Sequence, residues 1–317
     1  MNTDQHGSGT WGHAVCRLVT LMLLFACTAA FAQEEQEHPP EFKVDVRLVN
    51  VFTSVTDSHG VPVGALTKDN FRIFEDGAEQ KISVFQRESA IPLSIALEVD
   101  TSLSTRKDIH LELEAAKRFV HATVRPKTDS LALFTISENV DQVLGFSSQP
   151  KAIDRAINDV RPGAATALYD GITLGAEALR DRQGRKVMVL ITDGGDTASK
   201  SEYQDASRSA LEAEAIVYSI IVVPIESNAG RNTGGEHALI QISSDTGGRY
   251  YYANNIQQVE RAFEQISDEL RTQYLLAYYP SKRLSDSDFR RIEVKLVDAP
   301  ADRGTLTAHY RTGYYTH

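Results

Sequence analysis

Between residues 91 and 271 the chain alternates short apolar runs with longer stretches whose apolar residues recur every three or four positions. Few architectures accept that alternation. Leu93-Ser94-Ile95-Ala96-Leu97-Glu98-Val99 and the runs 131–136, 187–191 and 216–223 read as strands covered on both faces. Ile109, Leu113, Ala116 and Val120 predict an amphipathic helix, and further helical stretches are expected around 151–160, 168–181 and 201–214. The clearest helix is 256–271, with Ile256, Val259, Phe263, Ile266 and Leu270 on one face. Strands alternating with helices predict an α/β fold built on a doubly wound, mostly parallel sheet over 90–272.

Both flanks read differently. Phe42, Val44, Val46 and Leu48 alternate with charged residues, the period of a half-buried strand. Asp57-Ser58-His59-Gly60 is a turn cluster, and 71–74, Glu75-Asp76-Gly77 and 81–85 suggest a hairpin. After residue 272 the chain returns to strand-like patterns at 273–279, at Ile292, Val294 and Leu296, and at Leu306, Ala308 and Tyr310. The flanks 42–88 and 273–315 are each near the size, roughly 40–60 residues, at which an isolated domain becomes marginal. They are therefore expected to combine into one β-sandwich with the α/β domain inserted between them. Tyr250-Tyr251-Tyr252 reads as a strand with alternate burial.

The N-terminal residues stand apart from both patterns. Arg17, an apolar core from Leu18 to Ala30, and Ala30-Phe31-Ala32 before an acidic run form the pattern of a signal peptide over 1–32, cleaved after Ala32. A lipoprotein anchored at Cys27 is the alternative, although Phe25 fits that pattern poorly. Cleavage removes both cysteines, Cys16 and Cys27, and with them disulfide and thiolate chemistry. Residues 33–40 read as a solvated linker. The mature chain is expected to be secreted or periplasmic, with no membrane span. Lys+Arg 33 against Asp+Glu 43 gives a net charge of -10, which argues against nucleic acid as a partner and is compatible with cation binding.

In a doubly wound sheet, ligands bind beyond the carboxyl ends of the strands. The first strand there ends in Asp100-Thr101-Ser102-Leu103-Ser104, and the 187–191 strand in Thr192-Asp193-Gly194-Gly195-Asp196. Between them lies a glycine-containing loop carrying Thr166. Oxygen-only donors with few carboxylates suit Mg²⁺, which retains waters and an open position. Taken singly, Ser102 or Ser104 equally suits a helix cap, and Asp193-Gly194-Gly195 a strand-ending turn. The polar loop 226–236 also follows a strand and should emerge on the same face.

Asp-x-Ser-x-Ser, a downstream Thr and an Asp in an apolar-Thr-Asp-Gly context resemble the metal-ion-dependent adhesion site of von Willebrand factor type A (VWFA) domains. The flanking VNVFTSVTD, LTKDNFRIFEDG and YLLAYYP…FRRIEVKL…YRTGYY are similar to those of a secreted bacterial VWFA-related group, so the resemblance covers about 42–315. It implies that Asp100, Ser102 and Ser104 contact the metal, with Thr166 and Asp193 acting directly or through water. The ion would be Mg²⁺, or another divalent cation such as Mn²⁺ or Ca²⁺. Leu103 stands where such motifs often carry Gly, a departure that removes no ligand.

The function implied is a non-enzymatic, Mg²⁺-dependent protein-binding module whose partner presents an Asp or Glu to the metal. A hydrolytic enzyme is one rival. Yet Asp100-Thr101-Ser102 lacks the second Asp of an aspartyl-phosphate phosphatase, and Ser104-Thr105-Arg106-Lys107 lacks the companion motifs of a Ser-x-x-Lys enzyme. No Gly-x-Ser-x-Gly, P-loop or Gly-x-Gly-x-x-Gly occurs in the mature chain, and the histidines show no ligand spacing. A structural envelope component with a vestigial metal site is the other rival. The resemblance also implies that filling the metal site moves the final helix. Here that helix, 256–271, runs directly into the 273–279 strand, so a one-turn slide would couple the site to the sandwich, with a rigid junction the alternative.

Overall fold

The structure, a computed structural model, describes residues 48–87, 91–102, 109–223, 233–281, 289–298 and 304–316. The expected leader, the 33–40 linker and the alternating stretch up to residue 47 lie outside the described residues.

The N-terminal flank supplies β1 (Val49–Thr56), β2 (Phe71–Glu75), β3 (Ala78–Gln80) and β4 (Ile82–Arg87). The α/β layer follows with β5 (Leu93–Asp100), α1 (Ile109–Thr123), β6 (Ser130–Ile136), β7 (Val140–Ser147), α2 (Pro150–Asn158) and α3 (Leu168–Arg180). It continues with β8 (Arg185–Thr192), α4 (Tyr203–Glu212), β9 (Ala215–Val222), α5 (Thr233–Asp245), β10 (Tyr250–Ala253) and α6 (Ile256–Thr272). The C-terminal flank adds β11 (Tyr274–Tyr278), β12 (Phe289–Leu296), β13 (Thr307–Tyr310) and β14 (Gly313–Tyr315).

The central sheet has the order β10-β9-β8-β5-β6-β7. All its pairings are parallel except β6–β7. Strand β5 is buried along its whole length, as its apolar run predicts. One face is covered by α1, α2 and α6 through Leu113, Phe119, Ile153, Ile157, Val259 and Phe263. The other is covered by α3, α4 and α5 through Leu168, Ile172, Ala206, Ala210, Leu239 and Ile242. Each fully buried Leu, Ile or Phe contributes about 1.5–3 kcal/mol. The chain moves outward in opposite directions from the centre, so the topological switch point lies between β5 and β8.

Two four-stranded antiparallel sheets complete the structure, ordered β13-β1-β11-β4 and β14-β12-β2-β3. Each takes strands from both flanks. They share one core that includes Val51, Phe71, Ile73, Tyr274, Tyr278, Ile292 and Tyr314. Strand β12 buries Arg290, Ile292 and Val294 and exposes their neighbours. The hairpin expected around Asp76-Gly77 forms, with both residues at positive φ (47° and 81°). It pairs β2 with the short β3, while 82–87 crosses into the other sheet as β4. Residues 233–236, expected to belong to a polar loop, are instead the first turn of α5. The rest of that loop, 226–232, lies outside the described residues.

Candidate functional site

Strands β5 and β8 are hydrogen-bonded neighbours, with Val99 opposite Ile191, so their carboxyl-terminal loops leave the sheet side by side at the switch point. Asp100 is the last residue of β5 and is buried. Its Oδ1 accepts the Ser102 N–H at 2.9 Å, and its Oδ2 accepts the Thr192 hydroxyl at 2.7 Å. Burial raises the Asp100 pKa; hydrogen bonds from Ser102 and Thr192 oppose that rise, and the nearby charge of Asp193 adds to it. A second carboxylate on the adjacent strand end therefore disfavours the ionised form of Asp100.

The remaining loops are stitched to this edge. The Gly163 N–H donates to Thr101 O at 2.7 Å, holding the Thr166 loop against the end of β5. Thr166 is buried. Its N–H donates to Thr197 Oγ1 at 3.1 Å, and its carbonyl accepts the N–H groups of Thr197 and Ala198 at 2.8 and 3.0 Å. Gly194, at φ 81°, turns the chain after Asp193, and the Gly195 N–H donates to Asp193 Oδ1 at 2.9 Å. The φ favours glycine, and a Cβ on Gly194 would also lie 3.2 Å from the Glu236 backbone nitrogen. The loops at 100–102, 163–168 and 192–199 thus form one hydrogen-bonded ring.

Asp100, Ser102, Thr166 and Asp193 all sit on that ring, Asp193 half-buried and the other three buried. Ser104 lies outside the described residues, as does Leu103. The oxygens offered are carboxylates and hydroxyls, hard donors of the kind that suit Mg²⁺, Mn²⁺ or Ca²⁺. Among the described residues no three His, Cys, Asp or Glu side chains converge to hold a metal. A donor set here would therefore depend on hydroxyls beside its two carboxylates.

Sequence reasoning missed the residues that hold this edge together. Asp196 Oδ1 accepts the Leu168 N–H at 2.9 Å and the Ser199 hydroxyl at 2.5 Å. Ser199 Oγ accepts the N–H groups of Tyr169 and Asp170 at 3.0 and 3.2 Å. The Asp170 carboxylate in turn accepts the Lys200 and Ser201 N–H groups. Burial opposes, but those bonds hold the Asp170 pKa below its usual value. The one available signal was the density of Asp, Thr and Ser over 196–201, which reads as a local turn.

No curated protein matches the chain. Among solved structures, proximal thread matrix protein 1 from the mussel byssus is similar at TM-score 0.50 and 19% identity, over 62% of this chain and 51% of that one. The PilB minor pilin from Streptococcus sanguinis is similar at TM-score 0.45 and 13% identity, over 58% of this chain and 62% of that one. The vWF domain of the type V pili tip protein Mfa5 from Porphyromonas gingivalis is similar at TM-score 0.46 and 10% identity, over 57% of this chain and 95% of that one. The chain thus spans less than two thirds of the byssus protein and of the pilin. Residues 95–195, from strand β5 through the Asp193-Gly194-Gly195 turn, match the family model of the von Willebrand factor type A domain.

Proposed function

We propose that this chain is an exported, non-enzymatic adhesion-type module that binds a protein partner through a divalent cation. The observation that carries the reading is the ring of loops at the switch point, which gathers Asp100, Ser102, Thr166 and Asp193 at one sheet edge. With Ser104 these residues would hold Mg²⁺, or Mn²⁺ or Ca²⁺, and an Asp or Glu of the partner would take the open position. A bound cation supplies a fixed positive charge for that carboxylate, and it offsets the repulsion between Asp100 and Asp193. The match of 95–195 to the type A family supports the reading. Export rests on the 1–32 pattern.

The test is a titration of Mn²⁺ into the full mature chain, followed by capture of partners from envelope extract in Mg²⁺ and in EDTA. The parent should bind the ion and retain a partner only in Mg²⁺. Asp100→Ala should lose both while keeping its circular dichroism spectrum, since Asp100 ends a strand whose core residues are unchanged. Equal Mn²⁺ affinity in parent and Asp100→Ala would sink the assignment.

A further inference from the structure

Helix α3 begins one residue after Ala167, which offers no side-chain cap. The first backbone N–H groups of any helix lack partners within it. Here they find them on another loop. Asp196 takes the Leu168 N–H, and Ser199 takes those of Tyr169 and Asp170. The cap is therefore supplied from 28 to 30 residues away in sequence. Asp196 also brings a negative charge to the positive end of the helix dipole. Thr166 lies two residues before the helix, and Asp193 three residues before Asp196. The loop that caps α3 is the one that leaves β8 with Asp193.

We infer that Asp196 and Ser199 are positioning residues for the cation site, joining the Thr166 loop and the Asp193 loop into one rigid body. The inference rests on the proposed function, because it assigns the geometry of that same site. The bonds run both ways across the junction. Thr197 and Ala198 donate to the Thr166 carbonyl, while Thr166, Leu168, Tyr169 and Asp170 donate back to 196–199. Neither loop can move relative to the other without giving up several of these at once. A hydroxyl and a carboxylate that must meet one ion at fixed distances are thereby held before the ion arrives. The ordering cost is met in folding and not in binding.

The experiment titrates Mn²⁺ into the full mature chain as parent, Asp100→Ala, Asp196→Ala, Asp196→Asn and Ser199→Ala, with a thermal melt of each. Asp196→Ala should weaken Mn²⁺ binding about 10-fold, the low end for partners bonded to a metal's ligands, because Asp196 bonds the Leu168 N–H and the Ser199 hydroxyl and holds the ligands only through their loops. Asp196→Asn keeps an oxygen acceptor at the cap and should stay within about three-fold of the parent, since Asn caps nearly as well as Asp. Ser199→Ala should fall between. Equal losses in Asp196→Ala and Asp196→Asn would mean that Asp196 acts only by its charge, and would overturn positioning. A lowered melting midpoint in Asp196→Ala with parent-like affinity would overturn it too, leaving a helix cap and nothing more. If the parent binds no Mn²⁺, or Asp100→Ala binds it as tightly, the proposed function falls and this inference with it. If only the Asp196 and Ser199 variants bind like the parent, this inference alone falls.

Discussion

Glu98 sits one pleat below Asp100 on β5 and is fully buried, and neither of its carboxylate oxygens has a hydrogen-bond partner among the described residues. Its surroundings explain how it fits. A Cβ on Gly175 would lie 1.9 Å from Glu98 Oε1, and one on Gly171 would lie 3.2 Å from Oε2, so α3 leaves space for this side chain with two glycines. Burial raises its pKa to about 8, so the folded protein holds the acid protonated at neutral pH. An unfolded glutamate releases its proton near pH 4.5. The native state thus binds the extra proton between those two values, and stability falls as pH rises from about 4.5 to about 8. Above that window Glu98 is ionised in both states and the loss is complete. Glu98→Gln keeps the shape and removes the titration. It should match the parent at pH 4, exceed it by about 3 kcal/mol at pH 7, and gain no more above pH 8.5. Urea denaturation at the three pH values checks this, and parallel stability curves for both proteins would refute it. A charged residue inside an otherwise apolar strand was visible in the sequence. The pairing with two helical glycines was not, because it joins positions more than seventy residues apart.

At the scale of elements, the junction between α6 and the sandwich decides between a sliding and an anchored helix. Glu269, in the last turn of α6, is fully buried. Its Oε1 accepts the Ser54 hydroxyl of β1 at 2.6 Å and the Tyr218 hydroxyl of β9 at 2.9 Å, and Arg249 Nη1 lies 3.4 Å from Oε2. One residue on, the Leu270 carbonyl accepts from the Arg185 guanidinium. A slide of one turn, about 5.4 Å, would strip Glu269 of all three partners. Stranding a buried charge costs about 3–5 kcal/mol, more than the 1–3 kcal/mol of a typical allosteric coupling. The geometry therefore favours an anchored end to α6. Glu269→Ala should lower the unfolding free energy by about 3 kcal/mol and Ser54→Ala by about 1 kcal/mol, with a non-additive double variant. Additive losses in equilibrium denaturation would show that the two residues do not act together. The amphipathic face of α6 was legible because its apolar residues follow one stripe; Glu269 was not, since its partners come from three other elements. Helix α5 escaped the same reading because it buries Glu236 and Ser243 beside Leu239 and Ile242 and opens on Gly234-Gly235. Edge strand β7 escaped it because four of its residues from Asp141 to Gly145 are exposed and leave no clean alternation. At the candidate site, the gathering of Asp100, Ser102, Thr166 and Asp193 at one sheet edge was legible from their positions after strand ends and on the loop between them, whereas the Asp196–Ser199 clamp depends on bonds that no spacing encodes.

For the whole molecule, the α/β layer leaves the sandwich at β4 and returns at β11, two strands that pair directly, Arg87 opposite Tyr274. The long excursion therefore begins and ends a strand spacing apart, and the layer can be inserted without separating the strands around it. The sandwich has the opposite property. Strand β11 lies inside one sheet between β1 and β4, and β12 inside the other between β14 and β2. Removing residues 273–317 would strip an interior strand from each sheet, leaving β1 and β4 without neighbours and β2 with only the three-residue β3. A two-stranded remnant is marginal at best in water. The fragment 42–88 alone should thus remain unfolded. The fragment 91–272 keeps all six strands of the central sheet and both helical layers, and should unfold cooperatively. It should be less stable than the full chain, because Glu269 loses Ser54 and Thr246 loses its bridge to Arg311. Glu269→Gln provides the internal control: costly in the full chain, it should cost far less in 91–272, where the helix end is open to water. Circular dichroism melts and limited proteolysis of both fragments test these expectations together. Protease-resistant folding of 42–88 by itself would show that the N-terminal strands need no partner from the C-terminal flank, and the shared sandwich would then be two adjacent structures.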